Sequence, residues 1–75
     1  MNHKDALDAE IRAAQAAGDA GRLMEIYSEL GRAEIAQDER AGAFLLVQAL
    51  VYGLEAGRAE ADNIHQILKA LGREE

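Results

Sequence analysis

Two similar stretches of sequence decide the fold: LMEIYSELGR at residues 23–32 and IHQILKALGR at residues 64–73, which begin 41 positions apart. In each stretch apolar residues occupy positions i, i+3, i+4 and i+7, which lie on one side of an α-helix. A glycine follows each apolar row, where a left-handed backbone can end a helix. The repetition predicts two copies of a helical hairpin.

The composition indicates one small all-α domain that comprises residues 1–75. The chain contains no proline and no threonine and is rich in alanine, the residue with the highest helix propensity. A domain of this length buries a smaller fraction of its surface than a larger one does. Its core is therefore thin, and association with another chain is a natural way to stabilise it.

The charge and the cysteine count exclude several functions. The net charge is -6, with 8 basic residues dispersed among 14 acidic ones, so we expect no binding to nucleic acid or to anionic membranes. The chain has no cysteine, which excludes disulfides and thiol chemistry and agrees with a cytoplasmic location. The longest apolar run, residues 43–54, is too short to span a bilayer.

Helical periodicity and turn residues predict four helices, at about residues 4–17, 20–37, 39–56 and 58–71. Gly18 and Asp19 end the first helix, Asp19 can cap the second, and Gly57 ends the third. The short loops between them favour antiparallel neighbours, so the predicted architecture is two tandem helical hairpins. Helix 2 has two possible ends. Gly31 could terminate it, or the helix could continue to Gln37, with Asp38 capping helix 3. The good helix-forming sequence after Gly31 favours continuation.

Helix 3 is apolar around nearly its whole circumference. Its predicted core face is formed by Ala43, Leu46, Val47, Leu50, Val51 and Leu54. A flank formed by Leu45, Ala49 and Tyr52, extended by Phe44, lies beside that face. This flank has two interpretations: helix 3 is the central helix of the domain, or the flank binds a second chain, with Tyr52 as a large anchor.

The segment ALVYGLEAGRAEA at residues 49–61 resembles the tetratricopeptide-repeat class of helical hairpin arrays. In that class a tyrosine late in the first helix, a turn glycine and a small residue early in the second helix recur, and Tyr52, Gly57 and Ala61 occupy similar positions. The chain departs from the class in its longer period and its lack of tryptophan and proline. The resemblance implies protein or peptide binding on the face lined by the first helix of each hairpin. A plain four-helix bundle is the alternative.

No catalytic group, metal site or cofactor site is predicted. Asp62 and His65 lie three residues apart on one helix face, but a metal site in a bundle needs further carboxylates that project into its core. Ser28, the only serine, has no base near it in the sequence, and the glycines are dispersed rather than gathered in a phosphate-binding loop.

The sequence therefore predicts a non-enzymatic interaction module that forms a homodimer through Phe44, Leu45, Ala49 and Tyr52 of helix 3. A peptide or a larger protein is a possible further ligand. The alternatives are a purely structural bundle with no external partner and a metal-binding bundle that uses Asp62 and His65.

Overall fold

The computed structural model describes residues 3–72, which form four helices and no strand. The helices are α1 (His3–Ala17), α2 (Ala20–Ile35), α3 (Glu39–Glu55) and α4 (Glu60–Ala70). The all-α prediction is confirmed. None of the helices within these residues combines the length and apolar character needed to cross a membrane.

The helix boundaries follow from local hydrogen bonds. The side chains of Asp19 and Asp38 accept hydrogen bonds from the backbone N–H groups of Arg22 and Ala41, which cap α2 and α3 as predicted. Gly18, Gly57 and Gly72 have positive φ angles and follow the ends of α1, α3 and α4. Helix α4 begins at Glu60, two residues later than predicted. Arg73 lies outside the described residues.

Gly31 lies inside α2 and is buried, so the first apolar row does not end at its glycine. The favoured alternative, in which α2 continues past Gly31, is confirmed; the helix ends at Ile35. Packing against α3 explains why a glycine occupies this position inside the helix. A Cβ atom at Gly31 would lie 2.8 Å from Leu46 Cγ and 3.0 Å from the carbonyl oxygen of Gly42. Gly31 therefore serves close packing between α2 and α3.

The most extensive helix contact joins α2 to α3, which the prediction placed in different hairpins. Ile35, at the end of α2, lies against Gly42 near the start of α3, and Met24 lies against Gly53 near the end of α3. These two helices therefore pass each other in opposite directions. The pairing of α1 with α2 and of α3 with α4 as antiparallel hairpins stays a prediction.

The main core lies among α2, α3 and α4, and α1 is peripheral to it. The central cluster consists of Met24, Ala43, Leu46, Ala49, Ile64 and Leu68. Of the α1 residues from Asp5 to Ala17, Ala14 alone is buried. The Cα atoms span 36 × 29 × 13 Å, and the short dimension corresponds to about two layers of packed helices.

Candidate interaction surface

The outer face of α3 carries a row of exposed apolar side chains. Phe44, Val51 and Leu54 are 64%, 54% and 65% exposed. At 3.6 residues per turn these three residues and the half-buried Val47 lie within about 80° of one another around the helix axis. We call Phe44, Val47, Val51 and Leu54 the α3 stripe.

The opposite side of α3 is occupied by the rest of the protein. Leu46 and Ala49 are fully buried there, and Gly53 allows close approach of two neighbouring helices. A Cβ atom at Gly53 would lie 3.1 Å from Met24 Sδ and 3.2 Å from Ala61 Cβ, so α2 and α4 both reach this side. Phe44, Val51 and Leu54 are exposed on another side of α3, whereas Val47, at the edge of the stripe, packs against the core.

Three residues of the predicted core face, Val47, Val51 and Leu54, belong to the α3 stripe. The prediction was wrong for Val51 and Leu54, which are exposed, and right for Ala43 and Leu46, which are buried. Helix α3 is apolar on almost all sides, so the helical period alone does not say which side the other helices cover. The signal that the sequence analysis missed is the position of Gly42 and Gly53, because a glycine inside a helix often marks a close helix approach.

The four residues predicted as a partner surface fall into two pairs. Phe44 belongs to the α3 stripe, and the partly buried Leu45 lies beside it. The prediction was wrong for Ala49, which is fully buried in the core instead of facing a partner. The glycines on its side of α3 allow α2 and α4 to pack close to it. The Tyr52 ring stacks on Tyr27 of α2 at 5.8 Å between centroids, so this predicted anchor already has a contact within the chain.

A groove adjoins the amino-terminal end of the α3 stripe. It is open to solvent and has a volume of about 570 Å³. Its walls are formed by Glu34, Asp38, Arg40, Ala41, Phe44 and Leu45. Two of the predicted interface residues, Phe44 and Leu45, thus line one wide, open groove together with charged residues.

The charged residues on this side of α3 stand at its two ends. Arg40 lies one turn before Phe44, and Glu55 directly follows Leu54. Both are exposed, and neither takes part in the ion pairs found within residues 3–72. Residues 41–54, between them, contain no charged side chain. The α3 stripe itself is therefore uncharged. Glu55 stands at its carboxyl-terminal end and Arg40 at its amino-terminal end, where Glu34 and Asp38 also line the groove.

A second feature is a chain of ion pairs formed by Glu10, Arg22, Glu25, Arg58 and Glu60. Arg22 contacts Glu10 at 2.6 Å and Glu25 at 3.2 Å, which links α1 to α2. Arg58 contacts Glu60 at 2.7 Å and Glu25 at 3.1 Å, which links α2 to the start of α4.

Hydrogen bonds in this chain shift the pKa values of Glu60 and Arg58. The hydrogen bonds that Arg58 donates to Glu60 lower the pKa of Glu60. The pKa of Arg58 is raised, chiefly by its hydrogen bonds to Glu60 and next by the one to Glu25. Because the pKa of Glu60 is lowered on folding, its contact with Arg58 stabilises the fold at neutral pH and weakens as acid protonates the carboxylate. All these side chains are substantially exposed, so solvent screens the pairs, and we assign the chain a structural role.

Asp62 and His65 do not form part of a larger ligand set. Asp62 is exposed and His65 is half-buried. Within residues 3–72 no three histidine or carboxylate side chains are grouped so that they could hold a metal ion. Ser28 lines a shallow surface depression with Glu25, Glu29, Arg32, Met24 and Glu60.

No protein-family model, curated protein or solved structure matches this chain. The resemblance to the tetratricopeptide-repeat class therefore stays a prediction.

Proposed function

We propose that this protein is a non-enzymatic interaction module of the cytoplasm that forms a homodimer through the α3 stripe. The observation that carries the proposal is the alignment of Phe44, Val51 and Leu54, each more than half exposed, on the side of α3 opposite the core. Single exposed apolar residues are common on protein surfaces, whereas an aligned apolar row is typical of a surface that another helix covers.

The spacing of the α3 stripe supports contact with a helix. Its members follow one another at intervals of three, four and three residues. This is the spacing with which apolar side chains form the contact line between two paired helices. Fully burying one such side chain contributes about 1.5–3 kcal/mol, and a two-fold symmetric dimer buries the stripe of both copies.

The charge distribution supports a second copy as the partner at this face. Two chains of net charge -6 repel each other, and this repulsion is weakest where the approaching surfaces carry no charge. The uncharged segment 41–54 supplies such a surface. A peptide or a larger protein on the same stripe is the competing occupant.

The experiment is sedimentation equilibrium over a wide concentration range, on the wild type and on Leu54→Glu and Val51→Glu. We expect a dimer for the wild type and a folded monomer for both variants, because a buried, unpaired carboxylate opposes association. Gln66→Glu, at an exposed position of α4, is the control for the added negative charge. Circular dichroism checks that each variant retains its helices.

A wild type that remains monomeric at every concentration would contradict self-association and would direct the search to another protein partner. A dimer that persists in Leu54→Glu and Val51→Glu would show that a different surface holds the copies together.

A further inference from the structure

The two ends of the α3 stripe carry opposite charges on the same side of the helix. Counted at 3.6 residues per turn, Arg40 and Glu55 each lie within about 40° of Phe44 around the axis. Both side chains are exposed and neither belongs to an ion pair within residues 3–72. When two copies of α3 pack together, each charge can therefore lie next to either an opposite charge or a like charge of the other copy.

The relative direction of the two helices decides which occurs. In a parallel pair Arg40 lies next to Arg40 of the second copy, and Glu55 next to its equivalent. In an antiparallel pair with a two-fold axis between Val47 and Gln48, Arg40 of each copy lies opposite Glu55 of the other. The same register places Phe44 opposite Val51, so that an apolar contact forms on each side of the axis. Antiparallel helices further bring together opposite ends of their macrodipoles.

We propose that the dimer is an antiparallel pair of α3 helices. Phe44 of each copy packs against Val51 of the other, and two Arg40–Glu55 ion pairs set the register. This inference rests on the proposed function, since it specifies how the two copies meet.

Charge reversal tests the ion pairs. Arg40→Glu and Glu55→Arg each place two pairs of like charges in the dimer, and we expect each to raise the dissociation constant about tenfold at low salt. The double variant Arg40→Glu with Glu55→Arg restores the pairing, and its dissociation constant should return to within about threefold of the wild type. Lys69→Glu and Glu29→Arg, exposed positions outside α3, are controls for the same changes in net charge.

Disulfide trapping tests the direction of the helices, and the absence of native cysteine makes it specific. We expect Phe44→Cys and Val51→Cys to cross-link efficiently with each other when mixed, because the antiparallel register places these positions opposite each other. Neither should cross-link well with itself, because a disulfide requires Cα atoms closer than about 7 Å.

The outcomes separate the two proposals. A dimeric wild type in which each cysteine variant cross-links with itself, or in which the double charge reversal does not restore affinity, would overturn the antiparallel register and leave self-association intact. A monomeric wild type would contradict the proposed function itself.

Discussion

At the scale of single residues, Gly42 controls how closely α2 and α3 approach. A Cβ atom at this position would lie 2.6 Å from the backbone nitrogen of Ile35 and 2.8 Å from the carbonyl oxygen of Gly31. Neither backbone atom can move without separating the helices. We expect Gly42→Ala to lower the free energy of unfolding by about 1–3 kcal/mol, although alanine is the better helix former. Chemical denaturation followed by circular dichroism measures this change.

Gly21 is the matched control, because it is also a helical glycine. A Cβ atom there would come closest to Arg58 Nη1, the flexible end of a side chain, at 2.8 Å. Gly21→Ala should therefore leave stability unchanged or raise it by up to about 1 kcal/mol. If the two substitutions change the free energy of unfolding equally, helix propensity rather than the α2–α3 contact explains the effect of Gly42→Ala.

At the scale of helices, Asp38 fixes the start of α3. Its backbone is extended, and its carboxylate accepts a hydrogen bond from the Ala41 N–H group at 3.2 Å. We expect Asp38→Ala to cost about 1 kcal/mol of stability, because the first turn of α3 loses its cap. Asp38→Asn should lower the free energy of unfolding by only a few tenths of a kcal/mol, since asparagine caps helices about as well as aspartate. Thermal or urea denaturation provides the comparison, and equal losses in both variants would point to the charge of Asp38 instead of its hydrogen bond.

At the scale of the whole molecule, α1 is held less firmly than α2, α3 and α4. Ala14 is its one buried residue between Asp5 and Ala17, and a cleft of about 320 Å³ separates parts of α1 and α2. We expect backbone amides of residues 8–17 to exchange with solvent deuterium at least about tenfold faster than those of α3, because α1 can detach while the core persists. Hydrogen exchange measured by NMR or mass spectrometry gives the rates.

The same measurement tests the link between Glu10 and Arg22. Glu10→Gln removes a carboxylate that lies 2.6 Å from Arg22, and it should accelerate exchange in α1 while leaving α3 unchanged. Asp8→Asn makes the same charge change in α1 at an exposed position that is not part of the ion-pair chain. If the amides of α1 and α3 exchange at the same rate in every variant, the molecule unfolds as one cooperative unit. The prediction that α1 detaches separately would then be wrong.

The helices and most of their boundaries follow from local sequence. The caps at Asp19 and Asp38 and the turns at Gly18 and Gly57 depend on contacts within a few residues along the chain, so local pattern was sufficient to predict them. Composition likewise established the all-α class.

The side of α3 that faces the core depends instead on packing between helices. Because α3 is apolar on almost all sides, its period did not distinguish Ala49, which is buried, from Val51 and Leu54, which are exposed. The close approaches at Gly42 and Gly53 settled the orientation, since only a side without bulky side chains lets the other helices pack against the backbone. That choice depends on residues far apart in sequence, and it left the α3 stripe on the surface.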